Sequence, residues 1–225
     1  MNDKELVAHH AARQIKHGMI IGLGTGSTAN CFIAALADRV HNEGLQIHTV
    51  SSSVVSAIKA REHGLPLLAL EQITRLDVYV DGADEVTPEL TLLKGRGADL
   101  VREKILARAA QSFWVLIEPS KWVDRIGARY PIPVEVIPFA WQLVKQSLEA
   151  QGGKAELRQN AAKDGLIVTS HGSLVLDVVF PEALDSAALN TILNDVPGVV
   201  EHGIFRGLAS TVFCGNDGQV EERSR

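Results

Sequence analysis

The sequence predicts an α/β protein with a mostly parallel sheet, followed by a smaller α+β unit. Up to about residue 120, apolar segments alternate with segments of helical periodicity, a pattern typical of parallel strands covered by helices. The pattern changes after Tyr130-Pro131-Ile132-Pro133, because each proline fixes its own φ and restricts the residue before it. A chain of 225 residues fits one large domain with a smaller addition.

In the first part, each element follows from the spacing of apolar residues. The segment 27–40 repeats them at helical spacing, and 19–23 is a short apolar run typical of a buried strand. The predicted helices are 3–17, 27–40, one that begins after Ser52, and 99–110. The predicted strands are 19–23, 46–50, 65–70, 76–80 and 113–117.

In the second part, shorter strands surround two helices. The predicted helices are 139–150 and 183–194, and the predicted strands are 134–137, 155–158, 166–169, 173–180, 199–205 and 208–214. We expect the last strand to return to the first domain and the polar segment 219–225 to be frayed. The predicted domains are therefore 1–130 together with about 206–225, and 131–205.

Composition and charge argue against several classes of protein, namely nucleic-acid-binding, membrane-spanning and secreted proteins. The formal net charge is −5 and no cluster of Lys and Arg stands out, which disfavours a nucleic-acid partner. No apolar run approaches the roughly 18 residues of a membrane span, and the charged N-terminus lacks the apolar core of a signal peptide. These features predict a cytoplasmic protein with no membrane partner. Cys31 and Cys214 lie in apolar stretches, so we expect buried free thiols.

The segment GLGTGST, residues 22–28, lies between a predicted strand and a predicted helix. Glycines let a backbone turn tightly and approach a ligand, and N–H groups at a helix N-terminus favour an anion. The simpler alternative is a plain turn in which Ser27 or Thr28 caps the helix. Ser27 stands where a dinucleotide-binding motif has its third glycine, and the ending of a P-loop is missing. The segment therefore predicts binding of a small phosphorylated metabolite.

Three carboxylates occur within Asp81-Gly82-Ala83-Asp84-Glu85, directly after a predicted strand. In an open parallel sheet, ligands bind at the carboxyl ends of the strands. Clustered carboxylates are costly to place together unless they serve a ligand, a metal or a helix start. The alternative for Asp84 is a turn or cap residue, and no histidine lies nearby to complete a usual transition-metal site.

A second glycine loop, Lys94-Gly95-Arg96-Gly97, precedes a predicted helix that carries Glu103. The loop resembles a ligand cradle, although a solvated charged loop is an equal alternative. The helical neighbours of Glu103 at −3, +3, +4 and +7 are apolar. A carboxylate desolvated in this way is expected to have a raised pKa, which suits a general base. The alternative is an exposed glutamate on a helix whose other face is buried.

Lys121 follows the strand 113–117 and is expected at the same sheet edge as these motifs, although an ordinary surface lysine is an equal alternative. The eight histidines form no recognisable ligand set.

The segments GLGTGST, VDGADE, the Lys94 loop with the following REK, EPSK, PVEVIP and DVPGVVEHGIF occur in a fixed order between about residues 4 and 214. In this order the chain closely resembles the type A ribose-5-phosphate isomerases. The resemblance implies a Rossmann-like domain with a smaller ferredoxin-like α+β domain, and a homodimer or a higher homo-oligomer. It also implies a pentose 5-phosphate substrate in the pentose phosphate pathway, and neither a metal nor an organic cofactor.

The resemblance also implies residue roles. Glu103 is the base that moves a proton between C1 and C2 through a cis-enediolate. Asp81 assists ring opening with support from Asp84, and Lys94 stabilises the enediolate, as an oxyanion hole does. Substrate binding falls to Thr25, Gly26, Ser27, Thr28, Asp81, Gly82, Ala83, Asp84, Lys94, Gly95, Arg96, Gly97 and Lys121, with Lys4 as a further phosphate contact.

The chain departs from the family pattern in the loop after Lys94. Arg96 and Asp99 interrupt a segment that the family has richer in glycine. Arg96 is expected either to point to solvent or to add a phosphate contact, and Asp99 to begin the helix. Two rival functions stay open at this point, since one fold serves many reactions. They are a sugar-phosphate deaminase or lactonase and a non-enzymatic sugar-phosphate sensor.

Overall fold

The computed structural model describes residues 2–225, which pack as two compact units. The first unit comprises the chain up to Ala83, Arg102–Lys121 and Leu208–Arg225, and the second comprises Asp84–Val101 and Trp122–Gly207. The helices are α1 (Asp3–Arg13), α2 (Ser27–Glu43), α3 (Val54–Glu62), α4 (Leu100–Ala109), α5 (Trp141–Ala150) and α6 (Ser186–Asp195). The strands are β1 (Ile20–Leu23), β2 (His48–Ser51), β3 (Leu76–Asp81), β4 (Glu85–Val86), β5 (Leu92–Leu93), β6 (Ala110–Ile117), β7 (Ile132–Val136), β8 (Lys154–Leu157), β9 (Leu174–Val179), β10 (Val199–His202), β11 (Ile204–Phe205), β12 (Thr211–Asn216) and β13 (Gln219–Ser224).

The first unit is built on a six-stranded sheet with the order β13-β12-β6-β3-β1-β2. All neighbours in this sheet are parallel except β12 and β13. The chain winds outward from β1 to β2 in one direction and from β3 through β6 to β12 in the other. The strand order therefore reverses between β1 and β3, and in doubly wound sheets ligands bind at the carboxyl ends of the strands beside such a reversal.

Apolar packing explains why this sheet forms. Its inner strands β1, β3 and β12 are mostly apolar and buried, as expected when both faces of a parallel sheet are covered. Helix α2 buries one stripe, which includes Phe32, Ile33 and Leu36, in the same core cluster as Leu23 of β1 and Val80 of β3. These contacts fix where β1 and β3 end, and therefore where the following loops begin.

The second unit contains a four-stranded antiparallel sheet with the order β10-β7-β9-β8. With α5 after β7 and α6 after β9, the chain follows a βαββαβ path, the ferredoxin-like arrangement. Its core contains Val134, Val144, Leu176 and Leu193, which are fully buried. A separate three-stranded sheet with the order β11-β5-β4 belongs to the same unit.

The predicted α/β class, the mostly parallel sheet and the ferredoxin-like addition are confirmed. The return of the last predicted strand is confirmed too, because β12 pairs with β6 in the first unit. The domain limits 1–130 with 206–225, and 131–205, stay a prediction. The compact units differ from them in that 84–101 and 122–130 group with the second unit.

Three predicted details are wrong. The segment 65–70 forms only an isolated bridge of Leu67 to Thr49, since Pro66 has no N–H to donate. The segment 166–169 likewise makes only isolated bridges. The polar segment 219–225 is not frayed, because β13 pairs with β12 along its length as an edge strand, a position that tolerates charged side chains.

Cys214 is buried as predicted, whereas Cys31 is only half-buried; both are free thiols. Within residues 2–225, the search for a helix both long and apolar enough to cross a membrane finds none.

Candidate active site

Asp81 ends β3, beside the loop that follows β1. Its Oδ1 accepts hydrogen bonds from the backbone N–H of Thr25 (3.1 Å) and of Gly82 (2.7 Å). The loop is fixed to the same strand, because the N–H of Gly24 donates to the carbonyl of Val80 (2.9 Å). The reversal of strand order thus places the glycine loop and the carboxylate side by side.

Gly24 explains why the glycine loop needs a residue without a side chain. A Cβ added at Gly24 would lie 2.1 Å from Oδ1 and 2.6 Å from Cβ of Asp81. No real side chain tolerates such distances, so this close approach requires glycine.

Tyr79 lies under the site and was not among the predicted residues. It is fully buried, and its hydroxyl donates to Oδ2 of Asp81. Burial, followed by the negative charges of Asp81 and Glu103, raises the pKa of Tyr79 well above its usual value, while a hydrogen bond with Ser52 lowers it. Tyr79 is therefore a neutral donor at neutral pH, and the charges of both carboxylates reach its hydroxyl.

Glu103 lies in the first turn of α4 and is 5% exposed. The structure therefore favours the buried interpretation of this residue over the exposed alternative. Asp81 is completely buried. Both carboxylates are therefore shielded from water.

Hydroxyl groups continue this network toward the glycine loop. Oγ1 of Thr25 is 3.1 Å from Oγ of Ser52 and donates to Oγ of Ser53 at 2.6 Å. Ser53 also caps α3 by accepting from the N–H of Ser56 (3.0 Å). The end of β2 thus supports the loop after β1.

The start of α2 has the features of an anion site. Gly26 is its N-cap, with φ at +112°, and no side chain caps the helix. Gly26 and Ser27 are exposed, and Thr28 is half-buried. The N–H groups of the first helical turn, together with these hydroxyls, are therefore available to an anionic ligand.

Two lysines that are predicted to bind the substrate lie near the end of β6. Nζ of Lys4 is 3.6 Å from Oε2 of Glu118, and Lys121 ends the short 3₁₀ helix Pro119–Lys121. Both lysines are half-buried. Glu118 offsets part of the positive charge of Lys4, so Lys4 is the weaker candidate for an anion contact.

In the second unit, a hairpin brings Asp84 and Lys94 to one end. The N–H of Asp84 donates to the carbonyl of Leu93 (2.8 Å), just before Lys94. Lys94 is 4% exposed, and its Nζ lies 5.9 Å from the ring centroid of Phe205. A lysine in such an apolar setting acts more strongly on a nearby negative charge than one in water.

Arg96 is exposed, with 52% of its side chain open to solvent, but its guanidinium group also has two neighbours in the second unit. Its guanidinium carbon lies 4.1 Å from the ring centroid of Tyr130, and Nη1 is 3.9 Å from Oδ1 of Asp84. Gly95, with φ at +95°, is buried and Gly97 is exposed. Asp99 directly precedes α4, as predicted.

Glu85, the third carboxylate of the VDGADE segment, has a structural task. Its Oε2 accepts from the N–H of Gly127 (2.7 Å), and its Oε1 accepts from those of Arg129 (2.6 Å) and Tyr130 (3.0 Å). One of the three clustered carboxylates therefore serves the fold, since Glu85 is buried and anchors the backbone of residues 127–130. Among the described residues, no group of three or more His, Cys, Asp or Glu is arranged to hold a metal ion.

Sequence reasoning included Gly24 in the glycine loop without a role of its own, and it missed Tyr79, Ser52 and Ser53 as parts of the site. Tyr79 carries a detectable signal, because it lies two residues before Asp81 in a strand and shares a face with it. The two serines follow β2, whose neighbour in the sheet is β1. The same rule of strand ends that selected Asp81 also selects them.

The chain is similar to a known family over most of its length. The profile of Ribose 5-phosphate isomerase A (phosphoriboisomerase A) matches residues 48–219. Ribose-5-phosphate isomerase A of Thermosynechococcus vestitus is 43% identical over 223 residues, which cover 98% of this chain and 94% of that protein. The protein of the same name from Methanothermobacter thermautotrophicus is 46% identical over 215 residues, which cover 96% and 94%.

Solved structures agree. Ribose 5-phosphate isomerase A from Methanocaldococcus jannaschii superimposes with a TM-score of 0.94 at 38% identity, covering 99% of this chain and 98% of that one. A D-ribose-5-phosphate isomerase in complex with phospho-erythronic acid gives a TM-score of 0.95 at 40% identity, with each chain fully covered.

Proposed function

This chain belongs to the ribose 5-phosphate isomerase A family and isomerises ribose 5-phosphate, and we propose that Glu103 is the general base of that reaction. The product is ribulose 5-phosphate, and the intermediate is a cis-enediolate. The observation that supports the base most directly is the burial of Glu103, which is 5% exposed in the first turn of α4.

The reaction needs one proton to move between two neighbouring carbons. In the open-chain aldose, the C2 proton is acidic because it is adjacent to the C1 carbonyl. Glu103 removes it, which leaves an enediolate across C1 and C2, and then returns a proton to C1. A base shielded from water does this efficiently when its pKa lies near the working pH.

Asp81 moves protons among the sugar oxygens and assists ring opening, with support from Asp84. Three donors orient the Asp81 carboxylate, namely Thr25, Gly82 and Tyr79. A carboxylate held in this way presents its remaining lone pairs in a fixed direction.

Lys94 stabilises the negative charge that develops on the enediolate oxygens. Its burial and the neighbouring Phe205 ring support this role, because a cation in a dry site stabilises developing charge without reorganising water. Gly95, Arg96 and Gly97 complete the segment that contacts the substrate.

The phosphate end of the substrate binds at the start of α2. The donors are the N–H groups and hydroxyls of Thr25, Gly26, Ser27 and Thr28. Lys121 supplies a further positive charge, and Lys4 a weaker one. Gly82 and Ala83 line the substrate next to Asp81.

We also propose that the chain assembles as a homodimer or a higher homo-oligomer, as the family resemblance implies. A cytoplasmic location is proposed because a charged sugar phosphate does not cross membranes unaided. Light scattering on the purified protein measures the assembly directly, and a monomeric mass at working concentration would contradict it.

The function is tested by following ribose 5-phosphate to ribulose 5-phosphate conversion with the purified chain. We expect turnover that is unchanged after EDTA treatment, because every step transfers a proton and none needs a Lewis acid. Phospho-erythronic acid, which is bound in the structure of a similar isomerase, is expected to compete with substrate, because its carboxylate and phosphate resemble in charge the enediolate and phosphate of the intermediate. Release of ammonia or of a sugar acid would instead indicate a deaminase or a lactonase, and binding without turnover would indicate a sensor.

A further inference from the structure

The loop 94–97 has backbone carbonyl groups that lie outside any sheet or helix. Such groups need partners when they are buried. Nη1 of Arg158 donates to the carbonyl of Gly95 (2.9 Å) and to the carbonyl of Arg96 (3.0 Å). One guanidinium nitrogen thus holds two successive peptide groups directly after Lys94.

Arg158 is itself fixed. Its Nε donates to Oδ2 of Asp177 (2.9 Å) and its Nη2 to Oδ1, a two-point pairing that sets the plane of the guanidinium. The side chain of Arg158 is 14% exposed, so this pair is better shielded than a surface ion pair.

The backbone on both sides of this pair is also held. The N–H of Arg158 donates to the carbonyl of Val175 (2.8 Å), and Asp177 lies in β9, paired opposite Glu156 of β8. Arg158 therefore extends from a rigid antiparallel sheet toward the loop.

On the opposite side, the N–H of Lys94 donates to the carbonyl of Gly203 (2.9 Å). A Cβ at Gly203 would lie 2.3 Å from the carbonyl oxygen of Lys94, so the two backbones are in close contact. The N–H of Lys94 is therefore held by Gly203, and the two peptide carbonyls that follow Lys94 are held by Arg158.

We infer that Arg158, oriented by Asp177, is a positioning residue that fixes the backbone of the loop 94–97 and through it the ammonium group of Lys94. The inference rests on the proposed role of Lys94 in stabilising the enediolate. Arg158 does not touch the substrate, and it acts by removing loop conformations in which Lys94 is misplaced. A misplacement of about 1 Å in a catalytic group is enough to cost roughly 100-fold in rate.

The test is a double-mutant cycle with Lys94→Ala, Arg158→Ala and the double variant, each measured for kcat, KM and Tm. We expect kcat to fall about 100–1,000-fold in Lys94→Ala, as for loss of one oxyanion donor, and about 10–100-fold in Arg158→Ala. If Arg158 acts through Lys94, the double variant has a kcat within about 3-fold of Lys94→Ala, because residues that act as a unit are not additive. The KM for ribose 5-phosphate changes little in Arg158→Ala.

A matched control removes another arginine ion pair of the same unit. Arg125 pairs with the exposed Glu182 at 2.7 Å, and we expect Arg125→Ala to keep the kcat of the wild type. Should Arg158→Ala fail to fold, Arg158→Lys replaces it in the cycle, since a lysine has all its donors on one nitrogen and lacks the planar fork that spans the carboxylate and the two carbonyls.

Two outcomes overturn the inference: wild-type kcat in folded Arg158→Ala (or its Lys replacement) while Lys94→Ala is impaired, or a double variant whose loss is the product of the single losses. A Lys94→Ala variant with wild-type kcat overturns the proposed role of Lys94 instead, and with it the premise of the inference.

Discussion

The Asp81 end of β3 and the loop that carries Lys94 are held in different ways. Asp81 is oriented by several donors, two of them backbone N–H groups of adjacent segments, and it lies at the end of a buried strand. The loop 94–97 lies outside regular structure. The carbonyl of Gly95 accepts from the N–H of Ala98 (3.1 Å) and from Arg158, 63 residues away, and the carbonyl of Arg96 accepts from Arg158. The first region is therefore fixed mainly by backbone groups, and the second in part by one long side chain.

This difference has a consequence for function. Deleting one donor from Asp81 leaves the others in place, so its orientation persists. Deleting Arg158 leaves the loop carbonyls without that support. We therefore expect the second region to be more sensitive to a single side-chain deletion, while the first is sensitive to changes of its backbone.

Among the changes to the supports of the two regions, the largest effect is expected for Gly24→Ala, which acts on the backbone of the first region. The new Cβ would overlap the Asp81 carboxylate at 2.1 Å, so Asp81 or the loop must move. We expect kcat to fall by about 100-fold or more, since displacements of this size misplace a catalytic group. Steady-state kinetics measure it, with Gly165→Ala as the control, because a Cβ there meets only Asn160 at 3.4 Å. Near-wild-type kcat in Gly24→Ala would contradict the close approach.

A smaller effect is expected for Tyr79→Phe, which deletes one donor from Asp81 and keeps the ring. We expect a loss of about 3–10-fold in kcat and a free energy of unfolding lower by about 1–3 kcal/mol, because a buried hydrogen bond to a charged group is lost. The loss of kcat is expected to be smaller than that in Arg158→Ala. A larger loss of kcat in Tyr79→Phe than in Arg158→Ala would contradict the comparison between the two regions. Tyr130→Phe, which removes the hydroxyl of a tyrosine in the second unit, is the control.

The smallest effect at neutral pH is expected for the pH dependence of the free energy of unfolding. The pKa of Tyr79 is raised above its ordinary value of 10.0, first by burial and then by Asp81 and Glu103. Above about pH 10 the unfolded chain loses the hydroxyl proton of Tyr79, while the folded chain keeps it. The contribution of Tyr79 to the free energy of unfolding is therefore complete below pH 10 and falls by about 1.4 kcal/mol per pH unit above it. Urea unfolding at pH 8 and pH 11 measures the fall. Between pH 8 and pH 11, the free energy of unfolding should fall by about 1.4 kcal/mol less in Tyr79→Phe than in the wild type. An equal fall in both proteins would contradict the burial of a neutral tyrosine.

The comparison also shows what the sequence can predict. Asp81 and the glycine loop follow apolar strands, and the rule that ligands bind at strand ends located them from local pattern alone. The apolar helical neighbours of Glu103 indicated a desolvated side chain, and the structure buries it, while its role as the base stays a prediction. Local periodicity could not show that β13 pairs with β12, since that pairing depends on a partner supplied by the rest of the sheet. In the segment 65–70 the pattern of apolar residues was misleading, and Pro66 was the local sign against a strand.

The short β4–β5 hairpin and Arg158 escaped prediction for a related reason. Two-residue strands carry no measurable periodicity, and nothing near Arg158 in the sequence indicates that its guanidinium binds carbonyls of a loop 62 and 63 residues earlier. Such contacts are set by the three-dimensional path of the chain. The assignments of Asp84, Lys94 and the phosphate-binding residues stay predictions until variants are measured.

The base assignment is tested most directly by the kcat of Glu103→Gln for ribose 5-phosphate isomerisation. The amide keeps the size of the side chain but cannot accept the C2 proton, so we predict a fall in kcat of about 100–10,000-fold with KM within about 3-fold of wild type. Glu89→Gln, at an exposed turn position, is the control and should keep full activity. Unchanged turnover in a folded Glu103→Gln variant would contradict the account, because another group would then be the base.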